Sequence, residues 1–242
     1  MKTLGIIGGL GPLAGAYFYQ RVITLTAAPN DSAHIPIVLI SDPAIPSRIK
    51  HLTGQGPSPV PNLVAVDKRL IEAGAEVLTI PSTTTSYYHS YVQAEVSVPV
   101  ISLIDAITDT LSKLSVHMIG VLATTPTRTH QIFEPRLRAA DIDVVYPDDA
   151  TQERAMALIS AIKGISSRVG VEHLGEELSQ LVSGSWADTA DAVLLACTEL
   201  PVIWDRTTPF LQKNRIVYSA TDILAKAVLS ITIGGGGRPP ST

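Results

Sequence analysis

The sequence predicts an α/β protein made of two similar three-layer lobes with parallel sheets, related by a pseudo-two-fold. Three observations predict it. Short apolar runs alternate with helical patterns along the whole chain. The same strand and loop patterns recur about 115 residues apart. The chain also has 242 residues, 45% of them hydrophobic, enough for two substantial cores.

The elements read in order as follows. Residues 4–7 form a short apolar run that ends in glycines, and 13–27 then read as a helix, so the chain opens strand, Gly-rich loop, helix. Further strands are expected at 37–40, 77–80, 100–103, 118–122, 144–146, 192–196 and 216–218. Helical patterns lie between them at 63–73, 106–114, 129–139, 153–162, 171–182 and 221–231. Strands that alternate with helices imply parallel sheets covered on both faces.

The repeat is the more informative signal. Gly5-Ile6-Ile7 lies over Gly120-Val121-Leu122, and the stretch from Ala75 to Thr83 lies over that from Ala190 to Thr198 at the same spacing. Val100-Ile101 and Ile216-Val217 follow one residue out of step. An internal duplication explains three matches in one order. It makes Ser82 and Cys197 counterparts at the carboxyl ends of equivalent strands, where α/β sheets bind ligands, with a cleft between the halves. The domains expected are 1–99 with 210–233, then 100–209, with 234–242 as a flexible Gly-rich and Pro-rich tail.

Composition narrows the function classes. Eighteen Lys and Arg against 22 Asp and Glu, without a basic run, leave no electrostatic footprint for nucleic acid. No stretch reaches the roughly 18 apolar residues of a membrane span, and glycines interrupt the apolar N-terminus where a secretory signal would need a helix. A single Cys excludes an internal disulfide and a multi-Cys zinc site and fits the cytoplasm. The six His lack paired ligand spacing, so no metal site is expected. Small molecules are the expected partners.

Six segments carry candidate chemistry. Cys197 follows Val193-Leu194-Leu195, with its sulfur expected near the N-terminal dipole of a following helix, a placement that lowers a thiol pKa; the bland alternative is a small buried hydrophobe. The loop Ser82-Thr83-Thr84-Thr85-Ser86 offers five hydroxyls and their backbone N–H groups to a carboxylate or enediolate, or is a solvated loop with a helix cap. Thr124-Thr125-Pro126-Thr127 is a similar cap-and-Pro segment whose threonines suit a substrate oxygen. Arg48, on a Pro-constrained loop, suits a carboxylate fork, and Lys163 is either a helix C-terminal cation or a second anchor. Gly9-Leu10-Gly11-Pro12-Leu13-Ala14 fits a dinucleotide fingerprint only weakly, because the first acid at a strand end, Asp42, falls outside its spacing.

These residues resemble the aspartate/glutamate racemase family, nearly end to end. The resemblance rests on Gly5-Ile6-Ile7-Gly8-Gly9-Leu10-Gly11-Pro12-Leu13-Ala14, His34-Ile35-Pro36, Asp42-Pro43-Ala44-Ile45-Pro46-Ser47-Arg48, Gly120-Val121-Leu122-Ala123-Thr124-Thr125 and Ala196-Cys197-Thr198-Glu199-Leu200-Pro201. It implies an active site between two lobes, catalysis without pyridoxal phosphate or another cofactor, and a homodimer. Two cysteines flank the substrate Cα in the usual pattern. Cys197 matches the second, while Ser82 stands where the first is usual. The implied catalytic pair is thus Ser82 and Cys197, with Leu10, Arg48, Thr83, Thr84, Thr124, Lys163 and Thr198 binding a small carboxylate or amino-acid substrate.

An alcohol is a far weaker base and nucleophile than a thiol, so the two faces of such a site are inequivalent. Two alternatives accompany the racemase reading. One is a single-cysteine decarboxylase of malonate-type substrates, to which the loop with Tyr87-Tyr88 is similar; the other is a small-carboxylate binder without catalysis.

Overall fold

A computed structural model describes residues 1–165, 172–207 and 215–233. The chain divides into two compact units. The first comprises Met1–Ala106 and Thr221–Thr242, and the second Ile107–Ala220.

In the first unit, β1 (Leu4–Gly8) leads through a Gly-rich turn to α1 (Pro12–Leu25), which starts on a proline whose missing N–H costs nothing at that position. There follow β2 (Ile37–Ser41), α2 (Arg48–Leu52), α3 (Val60–Glu72), β3 (Val77–Thr79), α4 (His89–Gln93) and β4 (Val100–Ile101). The strands form one parallel sheet in the order β2-β1-β3-β4. β1 and β3 are buried throughout, as apolar strands covered on both faces must be. Leu63, Val66 and Leu70 of α3 join Ile7, Leu78 and Ile80 in one apolar cluster, each such side chain contributing roughly 1.5–3 kcal/mol by leaving water. β4 is shorter than the sequence suggests because Ser102 turns the chain and accepts from the Asp105 N–H at the start of α5 (Leu103–Lys113).

The second unit repeats the plan. β5 (Met118–Leu122), α6 (Thr125–Thr129), α7 (Glu134–Arg138), β6 (Asp143–Val145), α8 (Asp149–Lys163), α9 (Glu172–Val182), β7 (Ala192–Leu195), α10 (Leu200–Thr207) and β8 (Ile216–Ser219) build a parallel sheet in the order β6-β5-β7-β8. α11 (Ala220–Ile233) begins at its end and runs into the first unit. Of the helix expected over 129–139, only the part in α7 forms, and α6 ends where it was expected to begin. The chain between α6 and α7 turns through a left-handed Gln131, and Pro135 sits in the first turn of α7, which needs no N–H from it.

Both sheets thus have the same strand order, and a smaller detail recurs at the same spacing. Glu76, just before β3, accepts the Thr3 N–H ahead of β1 at 2.9 Å, and Asp191, just before β7, accepts the His117 and Met118 N–H groups at 2.8 and 2.9 Å. Each carboxylate ties the start of a central strand to its neighbour.

The compact units divide at 106/107 and 220/221, where the sequence reading placed 99/100 and 209/210. β4 belongs with the first sheet through β3, and β8 with the second, paired to β7 from Ala192↔Ile216 to Leu195↔Ser219. The expected tail at 234–242, the 209/210 boundary and the expected helix start at Val171 lie outside the described residues.

Candidate active site

In the second unit, Cys197 lies just past the carboxyl end of β7. Its backbone N–H and that of Ala196 both reach the Leu122 carbonyl at the end of β5, at 3.3 and 3.0 Å, which fixes the turn on the sheet edge. The side chain is buried, and its Sγ–H donates to Glu199 Oε2 at 3.0 Å. Glu199 is itself only 3% exposed and pairs through Oε1 with Lys163 Nζ at 2.8 Å, at the end of α8. Thiol, carboxylate and ammonium therefore form one chain running from a buried sulfur to a half-exposed cation.

This arrangement overturns the expectation of a lowered thiol pKa. Burial pushes the Cys197 thiol well above its ordinary value, and the charge and hydrogen bond of Glu199 push it the same way, while Lys163 only partly opposes them. The helix dipole does not prevail because α10 starts three residues beyond the sulfur-bearing residue and such a field acts mainly within the first turn. Cys197 rests as a neutral thiol.

Thr124 and Thr198 are buried in the same unit. Thr124 sits at the N-cap position of α6, where its hydroxyl meets that of Thr127 at 2.9 Å instead of capping the helix. Gln152 of α8 steadies this turn by donating to the Ala123 carbonyl at 3.0 Å.

In the first unit, Ser82 follows β3 and opens a buried hydroxyl loop. The loop coils into a short 3-10 helix over Thr84–Tyr88, with Thr85 N–H donating to the Ser82 carbonyl at 3.1 Å. Thr83, Thr84 and Thr85 are buried, so the solvated-loop alternative does not hold. Thr85 Oγ1 donates to Ser82 Oγ at 2.7 Å, which leaves the Ser82 proton as a donor. Among the described residues no carboxylate, imidazole or amine bonds Ser82 Oγ.

Arg48 opens α2. Its guanidinium donates to the Leu10 carbonyl at 2.7 Å and the Pro46 carbonyl at 3.2 Å, joining the Gly-rich turn to the Pro-rich loop. Leu10 buries its side chain in the apolar cluster, so its backbone is what it presents to Arg48. Beside them Tyr88 Oη meets His51 Nδ1 at 2.7 Å. Burial, reinforced by Tyr87, raises the Tyr88 phenol to about 12 against the opposing charge of Arg48.

The Asp/Glu/Hydantoin racemase family model matches residues 7–228. The chain belongs to that family. Among solved structures similar to this racemase-family chain, an aspartate racemase of Picrophilus torridus has a TM-score of 0.82 at 28% identity, covering 96% of this chain and 94% of its own. A glutamate racemase of Francisella tularensis subsp. tularensis, in complex with D-glutamate, shares the fold, with a TM-score of 0.63 at 19% identity over 98% of this chain and 85% of that one. A protein from the pnlA 3′ region of Pectobacterium carotovorum subsp. carotovorum is 31% identical over 112 residues, 45% of this chain and 72% of its own length.

Set against the candidates drawn from sequence, the family chain gathers Cys197 and Lys163 around one carboxylate, and separately Arg48 with Leu10 and Ser82 with Thr85. Glu199 is the residue that sequence reasoning left without a role. Its signal was present two positions after the cysteine, but only the turn ahead of α10 brings the two side chains together.

Proposed function

We propose that the chain is a cofactor-independent racemase of aspartate, glutamate or a related small amino dicarboxylate, and that Cys197 exchanges a proton with the substrate Cα. The observation that carries this reading is the buried Cys197–Glu199–Lys163 chain.

Abstracting an α-proton requires a base, which a neutral thiol is not. In the proposed step Glu199 takes the Sγ proton, and the thiolate so formed takes the proton from Cα, becoming a thiol again and leaving an enolate-like carbanion. Lys163 favours the thiolate by its charge. Arg48, Lys163 and the backbone N–H and hydroxyl groups near Leu10, Thr83, Thr84, Thr124 and Thr198 bind the carboxylates and the developing negative charge. Reprotonation on the opposite face is assigned to Ser82, whose hydroxyl keeps its proton as a donor and regains it from water, while Glu199 gives up to solvent the proton it took from the thiol, which closes the cycle. In the return direction Ser82 would have to act as base without an activating partner, so that direction is the slower one. The resting thiol suits the opposite duty, giving a proton to a carbanion.

Racemase chemistry is favoured over decarboxylation or mere binding by the family match and by the likeness to an aspartate racemase. A homodimer is proposed on the family resemblance alone.

The test is incubation of each enantiomer of aspartate and glutamate in heavy water, followed by proton NMR. Exchange of the α-hydrogen with inversion is expected for at least one pair. Cys197→Ala should abolish it while the circular dichroism spectrum stays that of the parent. Undiminished exchange in a folded Cys197→Ala protein would overturn the assignment.

A further inference from the structure

The second unit holds a cavity of about 460 Å³ whose wall is charged in an unusual way. It is lined by Thr125, Arg128 and Thr129 of α6, Gln131 between α6 and α7, Glu134 of α7, Tyr146 just past β6 and Asp149 at the start of α8. Its size lies within the range of small-molecule sites. None of the seven belongs to the catalytic residues proposed above.

Two of these groups explain little about folding. Glu134 is 6% exposed, and its carboxylate accepts a hydrogen bond from Tyr146 Oη at 3.3 Å. A carboxylate has room for about four such bonds, so one neutral donor leaves most of its capacity open. Arg128 lines the same cavity, near enough for its charge to act on the Tyr146 hydroxyl. Its ion pair is with Asp149 at 3.0 Å, and the Asp149 side chain is 91% exposed. A pair of that kind is screened by water and contributes little, so another carboxylate can take the place of Asp149 on the guanidinium. The lining therefore brings a buried carboxylate, a guanidinium whose ion-pair partner is a surface carboxylate, and two threonine side chains to one cavity.

We propose that this cavity is a second small-molecule site, whose ligand is an uncharged-side-chain α-amino acid held as a zwitterion. The ligand ammonium meets Glu134, the ligand carboxylate takes the guanidinium of Arg128, and Thr125 and Thr129 face a polar side chain. A simple anion gains Arg128 but meets Glu134 unfavourably. A simple amine gains Glu134 and leaves Arg128 with its surface partner. The two charges together select a molecule that carries both.

The experiment is isothermal titration of the full chain with L-serine, alongside glycolate and ethanolamine, which each lack one of its charged groups. L-Serine also lacks the second carboxylate proposed for the catalytic substrate. Saturable binding of L-serine is expected, with both controls weaker, and Arg128→Gln and Glu134→Gln should each weaken it about tenfold or more, the scale of losing one charge-assisted hydrogen bond. If Glu134→Gln fails to fold, Arg128→Gln, whose side chain is partly exposed, carries the test alone. Absence of saturable binding, equal binding of either control, or affinity unchanged in the folded variants would overturn the proposal.

Discussion

Glu199 sets the resting state of Cys197, and that makes the two residues separable by experiment. The carboxylate raises the thiol pKa by its charge and its hydrogen bond, yet in the proposed reaction it is also what accepts the thiol proton. Glu199→Gln should therefore speed alkylation of Cys197 near neutral pH while slowing turnover by about 10²–10⁴, the range of general acid–base assistance. Iodoacetamide kinetics across pH and the α-exchange rate measure the two effects. A variant in which both move the same way would show that Glu199 only positions the thiol. Lys163→Met should shift alkylation in the other direction, because the cation is what draws the thiol pKa down. On the other side of the proposed reaction, Ser82→Cys replaces an alcohol with a group that can be tuned to ionise near the working pH. Racemisation should rise and its two directions should approach one another; unchanged rates with Cys197 still reactive would remove Ser82 from the proton path.

At the scale of elements, the turn between β1 and α1 shows how narrowly a loop can be specified. Gly9 has φ +89, and a Cβ there would lie 2.4–2.5 Å from the backbone of Asp42. Gly74 after α3 has a similar φ of +95 with open space around it. Gly9→Ala carries both strain and collision, whereas Gly74→Ala carries strain alone, about 1–2 kcal/mol. Thermal melts should show the larger loss for Gly9→Ala, and equal losses would mean that the Asp42 loop moves aside freely. The glycines before α1 were legible in the sequence, as were all eight strands among the described residues, because buried parallel strands are short apolar runs bounded by turns. The pairing of Glu76 with Asp191 was legible only as alignment. Their shared task of holding the N–H groups ahead of β1 and β5 needed the sheet register. The five-residue helices α2, α4 and α6 escaped because one turn has no periodicity to read. The Cys197–Glu199 contact escaped because residues two apart meet only in a particular turn.

For the molecule as a whole, buried and exposed carboxylates pull the stability profile in opposite directions. Asp67 of α3 is fully buried, neither carboxylate oxygen has a hydrogen-bond partner among the described residues, and burial raises its pKa from 3.8 to about 7. The unfolded chain sheds this proton near pH 4 and the folded chain only near pH 7, so between those values folding retains a proton that unfolding releases. Stability is then complete below about pH 4 and falls as pH rises towards 7, by roughly 4 kcal/mol at most for a shift of about three units. Asp148 and Asp191 act the other way. Hydrogen bonds from Thr151 to the first, and from Met118 and His117 to the second, lower their pKa values, so what they contribute is present above the ordinary Asp value and is lost on acidification. Together these groups favour mildly acidic conditions, although the proposed thiolate chemistry is helped by a higher pH. Urea unfolding of the parent should show stability declining from pH 5 to 7, and Asp67→Asn, which cannot ionise, should flatten that decline. Parallel profiles for the two proteins would mean that Asp67 finds water or a partner when it ionises.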